Sequence, residues 1–233
     1  MSSINRTDPV PVLPLVRQNP TPFGFKVCVY LIVSMHAAGL VGLNWHVTRP
    51  LFSLLTPFNL IATAVMLLYC HRPYNSRFWL FAATTFLTGF LVEVAGVHTG
   101  VVFGQYRYGP VLGWKLWEVP LVIGCNWLVL IYATRAVSEK LLKINWLQPL
   151  LAAALMVLID LLIEPAAMRL DFWSWQGDTV PLRNYVAWFG VSLVLHVLFR
   201  WLVPVLRNPL AVLVYVVQFS FFSGCLLAIR WVA

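Results

Sequence analysis

The sequence is poor in charge. Of its 233 residues only 10% are charged, and just 8 are Asp or Glu. A soluble domain carries about 25% charged residues, so a water-soluble globular class is excluded. Cysteine is scarce as well. Cys28, Cys70, Cys125 and Cys225 each sit in or at the edge of an apolar run, and none forms CxxC. They read as small apolar side chains, and neither a disulfide nor a metal is expected. The histidines His36, His46, His71, His98 and His196 make no HxxxH or HxxH pair, which argues against a di-iron or zinc site. There is no GxxxxGK[ST] phosphate loop. There is also no NDxxD-like acid cluster of the kind that holds magnesium diphosphate. The net charge is +8, yet no basic run or RNA-binding motif accompanies it. Cations scattered singly over loops suit lipid headgroups and topology setting, and nucleic acid is not expected as a partner. Residues 1–24 are Pro-rich and polar. They lack the basic start and cleavable apolar stretch of a signal peptide, and a poorly ordered tail on the membrane surface is expected there.

What is present is apolar sequence, 61% of the chain. Seven runs can be counted: Phe25–Leu43, Leu51–Cys70, Phe78–Val97, Val119–Val137, Trp146–Ala167, Tyr185–Val203 and Leu210–Trp231. Each is close to the ~20 residues that cross the hydrocarbon core as a helix. Backbone groups in lipid must pair internally, and no alternating barrel pattern is present. The expected fold is therefore an all-α polytopic membrane bundle of about seven transmembrane helices, with residues 25–233 forming one transmembrane domain. Ten of the 16 Lys and Arg fall on the side of the N-terminal tail, which favours a cytoplasmic N-terminus.

Two connections are long, His98 to Glu118 and Met168 to Asn184, and this topology places both on the other side. Glu93 then lies in the outer half of span three and Asp160 and Glu164 in the outer half of span five, while Glu118 begins span four. An acid at membrane depth costs about 2.5–3.5 kcal/mol on insertion scales, so each needs a reason to be there. Gly89 and Gly96 share a helical face with Glu93 and let another segment approach it. Asp160 and Glu164, spaced i and i+4, share a face too, and Pro165 beside them is expected to bend or open the span. Two carboxyl groups this close in a dry site do not both ionise easily, so one of them is expected to hold a proton. The two long loops are dense in aromatics. Singly, each ring reads as part of an interfacial belt. Together they could offer ring faces to a cation that cannot be hydrated.

The spaced motifs Glu93-Val-Ala-Gly96, Thr99-Gly100, Phe103-Gly104, Tyr106, Tyr108, Val119-Pro120 and Trp127 resemble the membrane carotenoid hydratases of the CruF type, which are similar to archaeal bisanhydrobacterioruberin hydratases. Asp160, Glu164-Pro165, Trp173, Trp175, Pro181, Asn184 and Trp188 continue the resemblance. It implies addition of water to the terminal ψ-end double bond of an acyclic or monocyclic carotenoid, lycopene-like or γ-carotene-like, by a hydro-lyase with no cofactor. It also implies a multi-pass protein of a bacterial or archaeal cytoplasmic membrane, working beside other enzymes of the carotenoid pathway. Hydration needs a proton donor, a stabilised tertiary cation and a base for water. The catalytic candidates are Glu93, Asp160 and Glu164, with Asp160 or Glu164 giving the proton and Glu93 activating water, or the reverse. The substrate-binding candidates are Tyr106, Tyr108, Trp117, Trp127, Trp173, Trp175, Asn184 and Trp188. A proton-coupled transporter or lipid flippase would also use intramembrane carboxylates, so that reading stands beside the enzyme.

Overall fold

The computed structural model describes residues 21–232. The tail expected over residues 1–24 lies outside the described residues as far as residue 20, and helix has already begun at Pro22. Seven helices follow: α1 (Pro22–Asn44), α2 (Arg49–Tyr69), α3 (Ser76–Thr99), α4 (Val122–Leu141), α5 (Gln148–Arg169), α6 (Leu182–Leu202) and α7 (Pro209–Val232). Local chemistry sets their ends. The Thr21 side chain accepts from the Gly24 amide to cap α1, and the Asn75 side chain accepts from the Phe78 amide to cap α3. Gly100 closes α3 in the left-handed region, at φ 63°, where a side chain would be strained.

Six of these helices are long and apolar enough to cross a membrane, and the protein is an integral membrane protein. The exception is α4, which carries Arg135, Glu139 and Lys140. The sequence expectation of a helix over Val119–Val137 holds with shifted bounds, Val122–Leu141. Val119 and Pro120 belong to a short strand, and the helix behind them is the centre of the bundle. It packs against α2, α3, α5, α6 and α7. Of its 20 residues 14 are buried, so most of its surface meets protein rather than lipid and has no need of a lipid-like composition. α5 stays helical through Pro165, from Gln148 to Arg169, and the proline leaves the Leu161 carbonyl without its helical donor.

The two long connections carry short strands, β1 (Tyr106–Tyr108), β2 (Lys115–Leu116), β3 (Val119–Pro120) and β4 (Trp173–Trp175). β2 and β3 form a small hairpin with Trp117 and Glu118 at its tip, both at positive φ, as a two-residue connection of this hand requires. β1 pairs antiparallel with β4, setting Tyr106 opposite Trp175, Arg107 opposite Ser174 and Tyr108 opposite Trp173. The two aromatic loops are thereby tied together over the same end of the bundle.

The connection between α2 and α3 holds a buried histidine. His71 meets the Tyr132 hydroxyl through Nδ1 at 2.6 Å and stacks on Phe78. Burial pushes its pKa down to about 4. The unfolded chain therefore takes up a proton before the folded one does as pH falls from about 6.5. The contribution of this histidine to stability is complete above that pH and is lost progressively toward pH 4. Thermal unfolding is expected at a lower temperature at pH 5 than at pH 7.5, with a smaller difference in His71→Gln.

Candidate functional site

Three carboxyl groups from two helices meet donors from four other segments. On α3, Glu93 is buried between two glycines. A Cβ at Gly89 would lie 2.4 Å from the Cβ of Trp127, and one at Gly96 would lie 2.5 Å from Phe103. The glycines therefore admit α4 on one side and the first long loop on the other, as their spacing in the sequence implies. Trp127 Nε1 donates to Glu93 Oε1 at 3.0 Å. Tyr108 donates to Oε2 at 2.8 Å, and the Tyr106 hydroxyl makes a short hydrogen bond to the same oxygen. Burial, reinforced by the neighbouring Glu93, pushes both tyrosine pKa values well above the ordinary phenol range. Both hydroxyls therefore remain donors at any physiological pH.

On α5, Glu164 Oε2 receives two indole N–H groups, from Trp173 at 2.9 Å and Trp175 at 2.7 Å. Asn184, near the start of α6, gives its Nδ2 to Glu164 Oε1 at 3.3 Å and to Asp160 Oδ2 at 3.0 Å. One amide thus bridges the two acids. Asp160 Oδ1 is buried without a partner. Arginines do not compensate these acids. Arg169 donates to Asn44, and Arg183 donates to the Gly100 carbonyl. Among the described residues the one ion pair is Arg135 with Glu139.

The β1–β4 pairing explains how two loops far apart in sequence deliver four rings to one place. Alternate residues of a strand face the same side. Tyr106, Tyr108, Trp173 and Trp175 therefore look at the acids, while Arg107 and Ser174 turn outward and hydrogen bond to each other at 3.2 Å. The ring of Tyr106 lies over Trp175 with centroids 4.9 Å apart, and Trp127 stacks on Trp188 at 4.6 Å. Aromatic–polar–aromatic alternation in Tyr106-Arg107-Tyr108 and Trp173-Ser174-Trp175 marks each segment as a strand with one aromatic face, but not which strand it pairs with.

Two hollows meet here. The smaller, about 20 Å³, is lined by Glu93, Glu164, Asn184 and the aromatic rings around them. That is room for about one water molecule. The larger, about 410 Å³, is apolar and lies among α1, α2, α4, α5 and α7. Its rim includes Leu55 and Phe58, which are exposed on the outer face of α2. Ile123, Asn126 and Trp173 line both hollows, so a single layer of side chains separates them. Ile123 and Asn126 were not singled out from sequence. A lone Asn beside Trp127 in an apolar run is the available signal for the second; nothing marks the first.

Of the expected site residues, Glu93, Glu164, Tyr106, Tyr108, Trp127, Trp173, Trp175, Asn184 and Trp188 all line the smaller hollow, and Asp160 sits behind Glu164. Trp117 stands apart. It is exposed at the β2–β3 tip, near Phe90 with ring centroids 6.4 Å apart, because a two-residue turn points its side chain away from the strands' inner contacts. Glu118 shares that tip and is exposed as well, so it does not join the acids. Trp117→Ala is expected to leave stability within about 0.5 kcal/mol of wild type, as surface changes usually do, measured by thermal unfolding beside a loss in Trp175→Phe, which removes a donor from Glu164.

Residues 55–232 match the family model described as "Carotenoid biosynthesis protein". The chain belongs to the carotenoid biosynthesis protein family. The matched region contains all three acids and every ring around them. A bisanhydrobacterioruberin hydratase of Haloarcula japonica is similar to this chain, with 30% identity over 122 residues, covering 46% of this chain and 40% of the relative. The matched part is thus less than half of the relative's own length. No solved structure matches the chain. The resemblance read from the spaced motifs holds at the level of the family.

Proposed function

We propose that this protein is a carotenoid hydratase that adds water across a terminal trisubstituted double bond, converting it to a tertiary alcohol. One observation carries the reading. Two carboxyl groups, Glu93 and Glu164, face a hollow the size of a water, and one layer of side chains separates it from an apolar cavity open toward lipid. Water and alkene could scarcely be presented to one another by a simpler arrangement. The named activity of the Haloarcula relative belongs to the same class.

In the proposed sequence the end of an isoprenoid chain lies in the larger cavity against Ile123, Asn126 and Trp173. The Asp160–Glu164 pair holds a proton between them, with the Asn184 amide keeping the two carboxyl groups together. The chain end displaces the layer formed by Ile123, Asn126 and Trp173, and Glu164 then passes this proton to the less substituted alkene carbon. The π electrons form the new C–H bond, and a tertiary cation is left on the neighbouring carbon. The faces of Trp173, Trp175 and Trp188 and the Glu93 carboxylate stabilise it. The water oxygen then bonds to the cation, and its surplus proton goes to Glu93. Tyr106, Tyr108 and Trp127 fix Glu93 in place through the hydrogen bonds already described. Return of that proton from Glu93 to the pair completes the cycle, and no electrons are exchanged with any other group.

The test is product analysis in cells that make acyclic and monocyclic carotenoids. Expression of the full chain is expected to convert part of that pool to carotenoids heavier by one water, carrying a tertiary hydroxyl. Absence of any hydroxylated product over several such substrates would remove the reading.

A further inference from the structure

α4, α5 and α6, which carry Trp127, the Asp160–Glu164 pair and Asn184, also build a second polar site at their opposite ends. Glu139 lies twelve residues beyond Trp127 on α4, and Asp160 lies twelve beyond Gln148 on α5, a separation of about 18 Å along each axis. Here a cavity of about 390 Å³ is lined by Arg135, Glu139, Lys143, Asn145, Gln148 and Arg200. Three cations thus face one carboxylate.

Arg135 is the telling residue. It is 5% exposed, its guanidinium lies 4.2 Å from the centre of the Phe199 ring, and its Nε and Nη2 are both held by Glu139 Oε1, at 2.7 and 2.6 Å. Its Nη1 is buried without a partner. Beneath the cavity is a hollow of about 10 Å³, lined by Arg135, Gln148, Arg200 and His196. Arg200 is held at the cavity wall, where Nη1 donates to the Asn145 carbonyl at 2.6 Å. A desolvated arginine whose Nη1 has no partner, beside a second arginine and a lysine that line the open cavity, makes an electropositive receptor for an oxyanion.

The surroundings say where that anion comes from. Trp146 and Trp201, the sequence neighbours of Asn145 and Arg200, are exposed, as are Leu141, Ile144 and Val205. Exposed Trp flanking a charged pocket marks the level of the headgroups. A ligand seated here would have its charge in the cavity and its apolar part against this rim. A basic pocket between helices at that level suits an acidic headgroup.

We propose that this cavity is a binding site for the phosphate of an anionic phospholipid, held by Arg135, Arg200 and Lys143. The same oxyanion chemistry is offered by free phosphate, and the position of the cavity at the exposed Trp rim favours the lipid. The site is independent of the carotenoid reading, since it shares no residue with the acid cluster.

The experiment uses the full chain purified in a neutral detergent and native mass spectrometry with dioleoylphosphatidylglycerol or dioleoylphosphatidylcholine at equal concentration. A retained single adduct is expected with the anionic lipid and not with the zwitterionic one. The double variant Lys143→Gln, Arg200→Gln is expected to bind the anionic lipid about thirtyfold more weakly, the loss due to two cations near a surface. The single variant Lys143→Gln changes only an exposed side chain, and about fivefold weakening is expected. It keeps the test valid if the double variant unfolds. Equal retention of the two lipids, or unchanged binding in the variants, would overturn the proposal. A third arm adds inorganic phosphate without lipid. Saturable stabilisation by phosphate, with no preference between the lipids, would overturn the lipid assignment and identify a free anion as the ligand.

Discussion

Glu164→Gln is expected to lower turnover by about 10²–10⁴-fold while leaving the protein folded. The amide keeps the shape and the acceptor oxygen. Trp173 and Trp175 can still donate to that oxygen, because both already converge on Oε2, while the new NH2 faces the Asn184 amide and costs some stability. What is lost is the proton that the acid would deliver. Asp160→Asn retains the acceptor for Asn184 at Oδ2 and places its NH2 where Oδ1 is unpartnered, so it too should fold. Its turnover is expected to fall by a smaller factor, since it removes the partner of the donor rather than the donor. Glu93→Gln is expected to lose a comparable 10²–10⁴-fold, with some loss of stability as well. Its amide must meet three donors, from Tyr106, Tyr108 and Trp127, and can accept through one atom only. Single-turnover rates on a carotenoid substrate, measured beside thermal midpoints in detergent, separate chemistry from folding. Full turnover in all three variants would show that the acids do not carry the reaction.

The second large effect concerns the glycine that brings α3 and α4 together. Gly89→Leu is expected to cost about 1–3 kcal/mol or more, because even a Cβ at this position would sit 2.4 Å from Trp127. Relief requires Trp127 to move. The indole N–H would then leave Glu93, and its stacking on Trp188 would be broken. Turnover should collapse together with stability. Gly190→Ala is the control, since nothing lies within 4 Å of a Cβ there. Ala is favoured over Gly inside a helix by about 1 kcal/mol, so this variant should be at least as stable as wild type. Thermal midpoints of the two variants in one detergent read the contrast directly.

The elements that could be read from sequence are those whose signal is local. Apolar runs of near-constant length mark the helices, and acids at i, i+4 mark one face of α5. Gly89, Glu93 and Gly96 reveal their shared face in the same way. The relations between distant segments were not legible. The β1–β4 ladder depends on pairing residues 106–108 with 173–175, and nothing near either strand names the other. The central position of α4 is likewise a property of the whole bundle. Its run reads as one span among seven in isolation and as a buried hub once its neighbours are known. Trp117 shows the converse error. Proximity in sequence to the aromatic loop made it a candidate, but the turn geometry at residues 117 and 118 carries it outward. Composition cannot distinguish a ring that points in from one that points out; strand register can.

The assignment of Asn184 as a bridge has a consequence for how the acids tolerate burial. An amide that donates to both Asp160 and Glu164 leaves the pair without a cation, in a site where arginines are available on the same helices but point elsewhere. A structural ion pair would recruit Arg169 or Arg183. A proton held between two acids needs neither, and it is the form in which a buried pair can deliver acid to an alkene. This contrast is the physical reason for preferring chemistry over packing as the role of the cluster.

The origin of the product oxygen tests water addition most directly. The full chain is incubated with an acyclic carotenoid in water enriched in heavy oxygen, under air of ordinary isotopic composition, and the product hydroxyl is analysed by mass spectrometry. Full incorporation of the solvent label is expected. A hydroxyl that carries oxygen from the air, or a product with no added oxygen, would contradict addition of water at this site.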